Sequence, residues 1–211
     1  MRRVISIEGN IGSGKTTLFD LLRNRPALRD VVFVEEPVEL WEKIRDDATG
    51  ESLLQRFYAD PERYAFAFQT MAFFSRLALL AKTPNDCVVV TERSLLTDRD
   101  VFAKMLHDSG KIDGLCYKIY LQISSSTASF VDVAPSKMIY VKSDPLVCEE
   151  RIVRRQRHGE GEINREYLRR CDEYHEAMVG YVFNTTEVLE LDGNRDISRD
   201  ALDIVERFIL E

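Results

Sequence analysis

The chain has 211 residues, of which 45% are hydrophobic and 31% charged, and its formal net charge is −7. This length and composition suit one globular domain with a buried core, and the negative charge disfavours a general nucleic-acid-binding protein, which is usually basic. We expect no membrane-spanning segment, because no apolar run is long enough, and no signal peptide, because a strand-like run begins at once. The four cysteines are widely spaced, match no metal-binding pattern and predict reduced thiols in a cytoplasmic protein.

The first β-type run, residues 4–7, is followed at once by residues 9–17, GNIGSGKTT. This segment has the full GxxxxGK[ST] form of a phosphate-binding loop, and the leucine spacing after it predicts a helix. Its glycines allow backbone N–H groups to surround a polyphosphate, Lys15 can reach the β and γ phosphates, and the Thr16 hydroxyl can ligate Mg²⁺. The alternative is a glycine-rich turn that binds nothing. The predicted site for a nucleoside triphosphate consists of Gly9, Asn10, Ile11, Gly12, Ser13, Gly14, Lys15, Thr16 and Thr17.

Five β-type runs alternate with helical stretches along the chain, and this alternation predicts an α/β three-layer sandwich around a five-stranded parallel sheet. The insertion between the second and third runs is predicted to hold two helical segments, the longer from residue 61 to about residue 82. After the fourth run, an arginine-rich helix, two glycines and a second helix over about residues 164–183 predict a mobile helical lid at about residues 151–165 of a single domain, 1–211. The predicted strands are residues 4–7, 31–35, 87–91, 138–142 and 188–191.

Charged residues follow the second and third predicted strands, at the point where each strand ends. Glu36 follows the second strand, and Glu92-Arg93 follow the third. Ligands of open parallel sheets collect at the carboxyl ends of the strands, so we expect these three side chains beside the phosphate-binding loop.

One face of the long predicted helix combines polar and aromatic residues. Gln69, Ala72, Phe73 and Arg76 have the spacing i, i+3, i+4, i+7 and therefore share a face. Such a face suits a pocket with a few converging polar groups. Core packing, with the Arg76 stem lying along an apolar surface, fits the same pattern equally well.

Taken together, these features resemble the deoxyribonucleoside kinase family, which includes deoxycytidine, deoxyguanosine and insect multisubstrate deoxynucleoside kinases. The resemblance implies a P-loop kinase fold that transfers phosphate from ATP to the 5′-hydroxyl of deoxyribonucleosides in nucleotide salvage, with Mg²⁺ as cofactor. It also implies a homodimer, whereas neither nucleic acid nor a membrane is expected as a partner. The matching segments are residues 7–11 (IEGNI), 36–41 (EPVELW), 68–70 (FQT), 92–94 (ERS), Asp98-Arg99 and the arginine-rich lid.

The resemblance assigns roles to individual residues. Glu36 is implied as the general base for the 5′-hydroxyl, Arg93 as the group that holds both in place, and Lys15 as the third catalytic residue. Thr16 and Glu92 are implied to position Mg²⁺. The ATP phosphates are implied to contact three lid arginines, Arg151, Arg155 and Arg157. The implied nucleoside-binding set is Glu36, Val38, Trp41, Leu54, Tyr58, Phe68, Gln69, Arg76, Arg93, Asp98, Phe102 and Glu160, in which Gln69 reads the base edge, Phe68 and Phe102 sandwich the base, and Tyr58 and Glu160 bind the sugar 3′-hydroxyl.

Arg76 and Asp98 match a charged pair found in family members that prefer deoxycytidine or purine deoxynucleosides. We therefore expect deoxycytidine, deoxyadenosine and deoxyguanosine to be favoured over thymidine. The alternative is an ion pair with a structural role only. The sequence departs from the family at Asp100, where an aromatic residue is common, and in the lid, which carries His158 and two glycines.

Two other functions fit parts of the pattern. A thymidylate-type nucleoside monophosphate kinase would need extra cations near the second strand, where this chain has Glu35 and Glu36. A non-catalytic nucleotide-binding subunit is expected to have lost Glu36, Glu92 or Arg93, and all three are intact.

Overall fold

The structure, a computed structural model, describes residues 2–128, 134–157 and 159–211, so His158 of the predicted lid lies outside the described residues. Within these ranges, five parallel strands form one sheet in the order β2-β3-β1-β4-β5. This confirms the predicted sheet, with strand ends within two residues of the predicted ones. The strands are β1 (Arg3–Glu8), β2 (Val32–Val34), β3 (Val88–Glu92), β4 (Lys137–Lys142) and β5 (Glu187–Asp192).

The helices follow the predicted alternation, with one correction. Three helices, not two, fill the insertion between β2 and β3, because α2 has only six residues and is too short to show a helical repeat. A π-helical segment, Thr97–Ala103, and two 3₁₀ turns, Pro26–Leu28 and Glu160–Glu162, complete the chain. The α-helices are α1 (Lys15–Arg23), α2 (Val38–Lys43), α3 (Leu53–Ala59), α4 (Pro61–Ala81), α5 (Lys104–Asp108), α6 (Gly114–Ala128), α7 (Pro145–Arg155), α8 (Arg165–Val182) and α9 (Arg199–Leu210).

The period-two alternation of strand side chains separates the two faces of the sheet. On one face, Ile5 and Ile7 of β1 pack with residues of α1 and α9. On the other face, Val4 packs with Phe73 of α4 and Tyr120 of α6. Residues of α8 cover the neighbouring part of β4 on that second face. Helices therefore cover both faces, which confirms the three-layer sandwich.

Helix α4 is the longest helix of the described chain. By length and composition alone it could cross a membrane, with a mean hydropathy of 1.3 over 18 residues, so the expectation that no segment qualifies is wrong for this helix. Its packing explains its composition, because α4 lies between α3, α6 and the π-helical segment and buries Phe68, Phe73 and Leu80. The helix begins at Pro61, where a missing N–H costs nothing, and Asp60 caps it by accepting from Arg63 N–H.

Candidate active site

The phosphate-binding loop joins β1 to α1. It packs tightly against β4, which neighbours β1 in the sheet, and against α7. Gly9 has φ 142°, and a Cβ there would collide with the backbone carbonyl of Val141 in β4. Gly12 has φ 80°, and a Cβ would lie 2.6 Å from the carbonyl oxygen of Cys148 in α7. Both positions therefore require glycine, since larger residues would push the loop away from β4 and α7.

Lys15 and Thr16 open α1 with their side chains turned into this loop. The buried Lys15 ammonium donates to the carbonyl oxygen of Asn10 at 2.6 Å. Burial lowers the pKa of Lys15 to about 7, with a further contribution from the cationic Arg93. The Thr16 hydroxyl donates to Glu92 Oε1 at 2.6 Å.

The oxygen atoms of Thr16 and Glu92 indicate which metal ion suits this site. Among the described residues, no group of three or more His, Cys, Asp or Glu side chains could hold a metal ion by itself. A hydroxyl beside one carboxylate offers hard oxygen ligands but leaves most positions to other groups. That donor set fits Mg²⁺, which is usually held by one or two protein oxygens together with phosphates and water.

A buried charge network lies where the carboxyl ends of β2 and β3 meet α4. Glu36 Oε1 accepts from Arg76 at 3.0 Å and lies 3.2 Å from Arg93 Nε. Arg76 also donates to Asp98 at 2.9 Å and to the backbone carbonyl of Glu92 at 2.6 Å. Only 1% of the Arg76 side chain is exposed, so the arginine does not lie along the surface with its charge in water.

The charges in this network set the protonation of its acids. Burial alone would raise the pKa of Glu36, but the cationic Arg93, Arg76 and Lys15 outweigh it and hold that pKa below its usual value. Glu36 is therefore a carboxylate at neutral pH and can only accept hydrogen bonds. Burial raises the pKa of Asp98 above its usual value although Arg76 opposes this shift.

Arg93 sits at the end of β3 in a left-handed backbone conformation, with φ 65°, which is unusual for a residue other than glycine. Its backbone N–H donates to Ile7 at 2.9 Å, and its guanidinium donates to the carbonyl of Gly9 at 2.7 Å. The guanidinium also lies 4.9 Å from the ring centroid of Phe102. Such a strained position at the end of a strand is typical of functional sites.

A cavity of about 880 Å³ connects the phosphate-binding loop to an apolar chamber under α3 and α4. Trp41 and Phe57 pack on Phe68, with ring centroids 5.2 and 4.5 Å away. The cavity brings together eleven of the twelve predicted nucleoside-binding residues, and the twelfth, Arg76, holds Glu36 and Asp98 from behind. The predicted residues lining it are Glu36, Val38, Trp41, Leu54, Tyr58, Phe68, Gln69, Arg93, Asp98, Phe102 and Glu160.

Some residues of the predicted site lie behind the cavity, and some lining residues were not predicted. Residues 11–17 of the loop line the cavity, whereas Gly9 and Asn10 do not. Phe73 packs in the core with Val4 and Tyr120. Asp100 is not in the lining: it pairs with Arg99 and accepts from the Tyr181 hydroxyl, so it does not shape the pocket. The lining residues that were missed include Phe57, Arg154, Tyr167 and residues 191–193, 195–198 and 201.

The predicted lid is formed by the end of α7 and the 3₁₀ turn that follows. Arg151 donates to the carbonyls of Ser13 and Gly193 at 3.2 and 2.7 Å, which ties α7 to the loop. Arg155 binds the carboxylate of Glu160 through two hydrogen bonds of 2.8 and 2.5 Å, and Arg157 lies 3.6 Å away. The residue predicted to bind the sugar thus holds two arginines predicted to bind phosphate.

Comparison with known sequences identifies the family of this chain. A sequence profile described as "Deoxynucleoside kinase" matches residues 5–209. The chain belongs to the deoxynucleoside kinase family. It is thus a P-loop kinase, an enzyme that phosphorylates nucleosides, as the sequence predicts.

Relatives of this kinase are named for different nucleosides. The chain is 34% identical over 203 residues to a fowlpox virus protein named probable deoxycytidine kinase, covering 93% of this chain and 81% of the relative. It is 31% identical over 226 residues to deoxycytidine kinase 2 of Gallus gallus, covering 98% and 83%. It is also 30% identical over 178 residues to human mitochondrial thymidine kinase 2, covering 84% and 64%.

Proposed function

We propose that this kinase transfers the γ-phosphoryl group of ATP to the 5′-hydroxyl of a deoxyribonucleoside in nucleotide salvage. The observation that carries the proposal is the position of Glu36. Its carboxylate lines the cavity between the phosphate-binding loop and the apolar chamber, and two arginines hold it there. A hydroxyl that enters from the chamber therefore meets a carboxylate on the path to the γ-phosphate.

Phosphoryl transfer has a loose transition state, so positioning and charge neutralisation contribute more than strong base catalysis. Glu36 would orient the hydroxyl and accept its proton late, which suits a carboxylate with a lowered pKa. Arg93 would keep Glu36 in place, and Lys15 with Arg151, Arg155 and Arg157 would neutralise the phosphates. Thr16 and Glu92 would hold Mg²⁺, which would supply further positive charge for the phosphates.

The apolar chamber suits a nucleobase with its sugar. Trp41, Leu54, Phe68 and Phe102 provide apolar and aromatic walls, on which a base can stack. Gln69 is buried and has no side-chain hydrogen bond to any described residue, so its amide is free to donate to and accept from a base edge.

At the sugar end, Tyr58 and Glu160 offer a donor and an acceptor to the 3′-hydroxyl. Burial and the nearby Glu160 raise the pKa of Tyr58, so its hydroxyl keeps its proton.

The proposal extends to the base: deoxycytidine, deoxyadenosine and deoxyguanosine are favoured over thymidine. Relatives named for deoxycytidine and for thymidine match at similar identity, so the support comes from the cavity. Asp98 lines the cavity with Arg76 fixed behind it, and a carboxylate can accept from an exocyclic amino group. We expect the same pair to exclude the 5-methyl group of thymine.

The assembly and compartment complete the proposal. Phe74 of α4 and Leu115 and Ile119 of α6 are 43%, 71% and 44% exposed on two helices that pack together. This apolar surface supports a homodimer, which sedimentation equilibrium would detect.

All four cysteines lie in the described part of the chain and are free, which supports a reducing compartment such as the cytoplasm. That neither a membrane nor nucleic acid is a partner stays a prediction.

The test is to incubate the protein with Mg-ATP and each deoxynucleoside separately and to measure the monophosphate formed. Thymidylate in a parallel reaction tests for a monophosphate kinase. Lys15→Ala should abolish turnover because a charge on the β and γ phosphates is lost, whereas Lys111→Ala, which removes a surface lysine paired with Glu62, should not change it. Phosphorylation of thymidylate alone, or full activity of Lys15→Ala, would contradict the proposal.

A further inference from the structure

His175 of α8 lies behind Arg93, on the side away from the cavity, and is completely buried. Its Nδ1 lies 2.6 Å from the carbonyl oxygen of Cys171, one turn earlier in the helix. Its Nε2 lies 3.4 Å from a terminal guanidinium nitrogen of Arg93. The ring is also perpendicular to Phe102, with centroids 5.9 Å apart. His175 is not among the residues that line the cavity.

These contacts determine which ring nitrogen carries the proton. A carbonyl oxygen can only accept, so Nδ1 must be the donor to Cys171. In a neutral ring Nε2 then presents a lone pair, which accepts from Arg93. A protonated ring would instead place an N–H and a positive charge against the guanidinium. Burial and the charge of Arg93 lower the pKa of His175 well below its usual value, in agreement with a neutral ring.

Besides His175, the Arg93 guanidinium contacts the Gly9 carbonyl, the Glu36 carboxylate and the ring of Phe102. One terminal nitrogen has acceptors on two elements, the carbonyl of Gly9 in the loop and the ring of His175 in α8. The Nε of the same side chain lies 3.2 Å from Glu36. Rotation of the guanidinium away from His175 would therefore also move the contact that orients Glu36.

We propose that His175 is a positioning residue that, as the Nδ1–H tautomer set by Cys171, orients Arg93 toward Glu36 and the acceptor hydroxyl. The proposal rests on the proposed function, because the benefit of an oriented Arg93 is phosphoryl transfer. Helix α8 begins directly after the lid and also accepts a hydrogen bond from the Asn10 side chain at Leu168, 2.8 Å long. One helix thus supports both the phosphate-binding loop and Arg93.

The test uses two substitutions of His175, in each of which a side-chain amide takes the place of one of the two ring nitrogens. His175→Gln can place an acceptor oxygen near the Nε2 position, whereas His175→Asn can donate to Cys171 but is too short to reach Arg93. We expect His175→Asn to lower kcat roughly tenfold to a hundredfold, the range for loss of a charge-assisted hydrogen bond, with KM for Mg-ATP unchanged. His175→Gln should retain kcat within a few-fold. Equal losses of kcat in the two variants would overturn the proposal.

Two controls separate positioning from a general loss of stability. Val205→Ala removes a buried side chain from the opposite face of the sheet, and we expect it to lower the melting temperature without lowering kcat. In an Arg93→Lys background, His175→Asn should have little further effect, because the residue it orients is already altered. An undiminished effect in that background would show that His175 does not act through Arg93.

A measurement on the unsubstituted protein covers the case in which the variants do not fold. Nitrogen-15 NMR of labelled histidines, with His175 assigned by difference, should show a neutral ring protonated on Nδ1 at neutral pH. Protonation on Nε2, or on both nitrogens, would overturn the proposal. Because this measurement requires no turnover, failure of the positioning role can be distinguished from failure of the proposed function.

Discussion

The acceptor end of the cavity, where Arg76 pairs with Glu36 and Asp98, and the lid both pair arginines with carboxylates. The surroundings of the two sets of pairs differ. Arg76 is 1% exposed and its partners Asp98 and Glu36 are 3% and 18% exposed. In the lid, Arg155 is 32% exposed although its partner Glu160 is buried. A buried pair is costly to break because the remaining charge is left without a partner, whereas a partly exposed arginine can exchange partners at little cost. The comparison indicates an acceptor end that is fixed before substrates bind and a lid that is not.

Among the residues of the buried charge network, the largest effect on kcat is expected at Glu36. Glu36→Gln should lower kcat by roughly 10²–10⁴, the usual range for a general base, while KM for the nucleoside changes only a few-fold. Glu35→Gln is the matched control, since its 57% exposed carboxylate pairs with Arg23 at the surface. Steady-state kinetics on both variants checks this. If nucleoside affinity fell and kcat did not, Glu36 would be a binding residue only.

Breaking the buried pair on one side should destabilise the protein. Arg76→Met leaves the buried Asp98 without its arginine and Glu36 with Arg93 alone, and we expect the free energy of unfolding to fall by about 3–5 kcal/mol. Adding Asp98→Ala should restore part of that loss and raise thymidine phosphorylation relative to deoxycytidine. Chemical denaturation and a competition assay with both nucleosides measure the two effects. A wild-type preference for thymidine, or an unaltered preference in the double variant, would contradict the specificity argument.

Because of Lys15, both the stability of the protein and its affinity for ATP should depend on pH. Its pKa is about 7 in the folded protein and 10.5 ordinarily, so between these values the unfolded chain binds one more proton and stability rises with pH. A bound triphosphate favours the charged ammonium, so apparent ATP affinity should fall about tenfold per pH unit above pH 7.

Calorimetric titration of a non-hydrolysable ATP analogue at about pH 8, above the lowered pKa, in two buffers of different ionisation enthalpy, should show uptake of about one proton. In Lys15→Met this uptake should vanish. Binding heats independent of the buffer in the unsubstituted protein would contradict the lowered pKa.

The smallest stability effect is expected in the lid. Arg155→Ala should lower the free energy of unfolding by less than Arg76→Met does, because Arg157 still lies beside the buried Glu160 carboxylate, yet raise KM for Mg-ATP. Arg165→Ala, which removes a 63% exposed arginine paired with Glu149, should change neither quantity. A loss of stability in Arg155→Ala as large as in Arg76→Met would remove the contrast between the two regions.

The sequence predicted the parts of this molecule that depend on local patterns. The five strands follow from apolar runs, and the phosphate-binding loop follows from a motif with fixed spacing. The contacts of Arg76 with Glu36 and Asp98 join residues 40 and 22 positions apart, and they depend on how α4 packs against the sheet. No local pattern gives that packing, and the family resemblance supplied the residues but not their geometry.

Other features had no usable signal in the sequence. The π-helical segment that carries Asp98 and Phe102 is indistinguishable in sequence from an α-helix. His175 is a single polar residue on a buried helix face and matches no motif. Arg154 resembles the other lid arginines in sequence, and only the structure shows that it lines the cavity together with them.

The buried contacts of Glu36 with Arg76 and Arg93 imply that the acceptor end of the cavity is formed before ATP binds. Calorimetric titration of deoxycytidine into the nucleotide-free protein tests it, repeated with a saturating non-hydrolysable ATP analogue and Mg²⁺. We expect binding in both titrations, with dissociation constants within a few-fold of each other, because the network around Glu36 needs no ligand to form. Deoxycytidine binding that is detectable only with the analogue would contradict it.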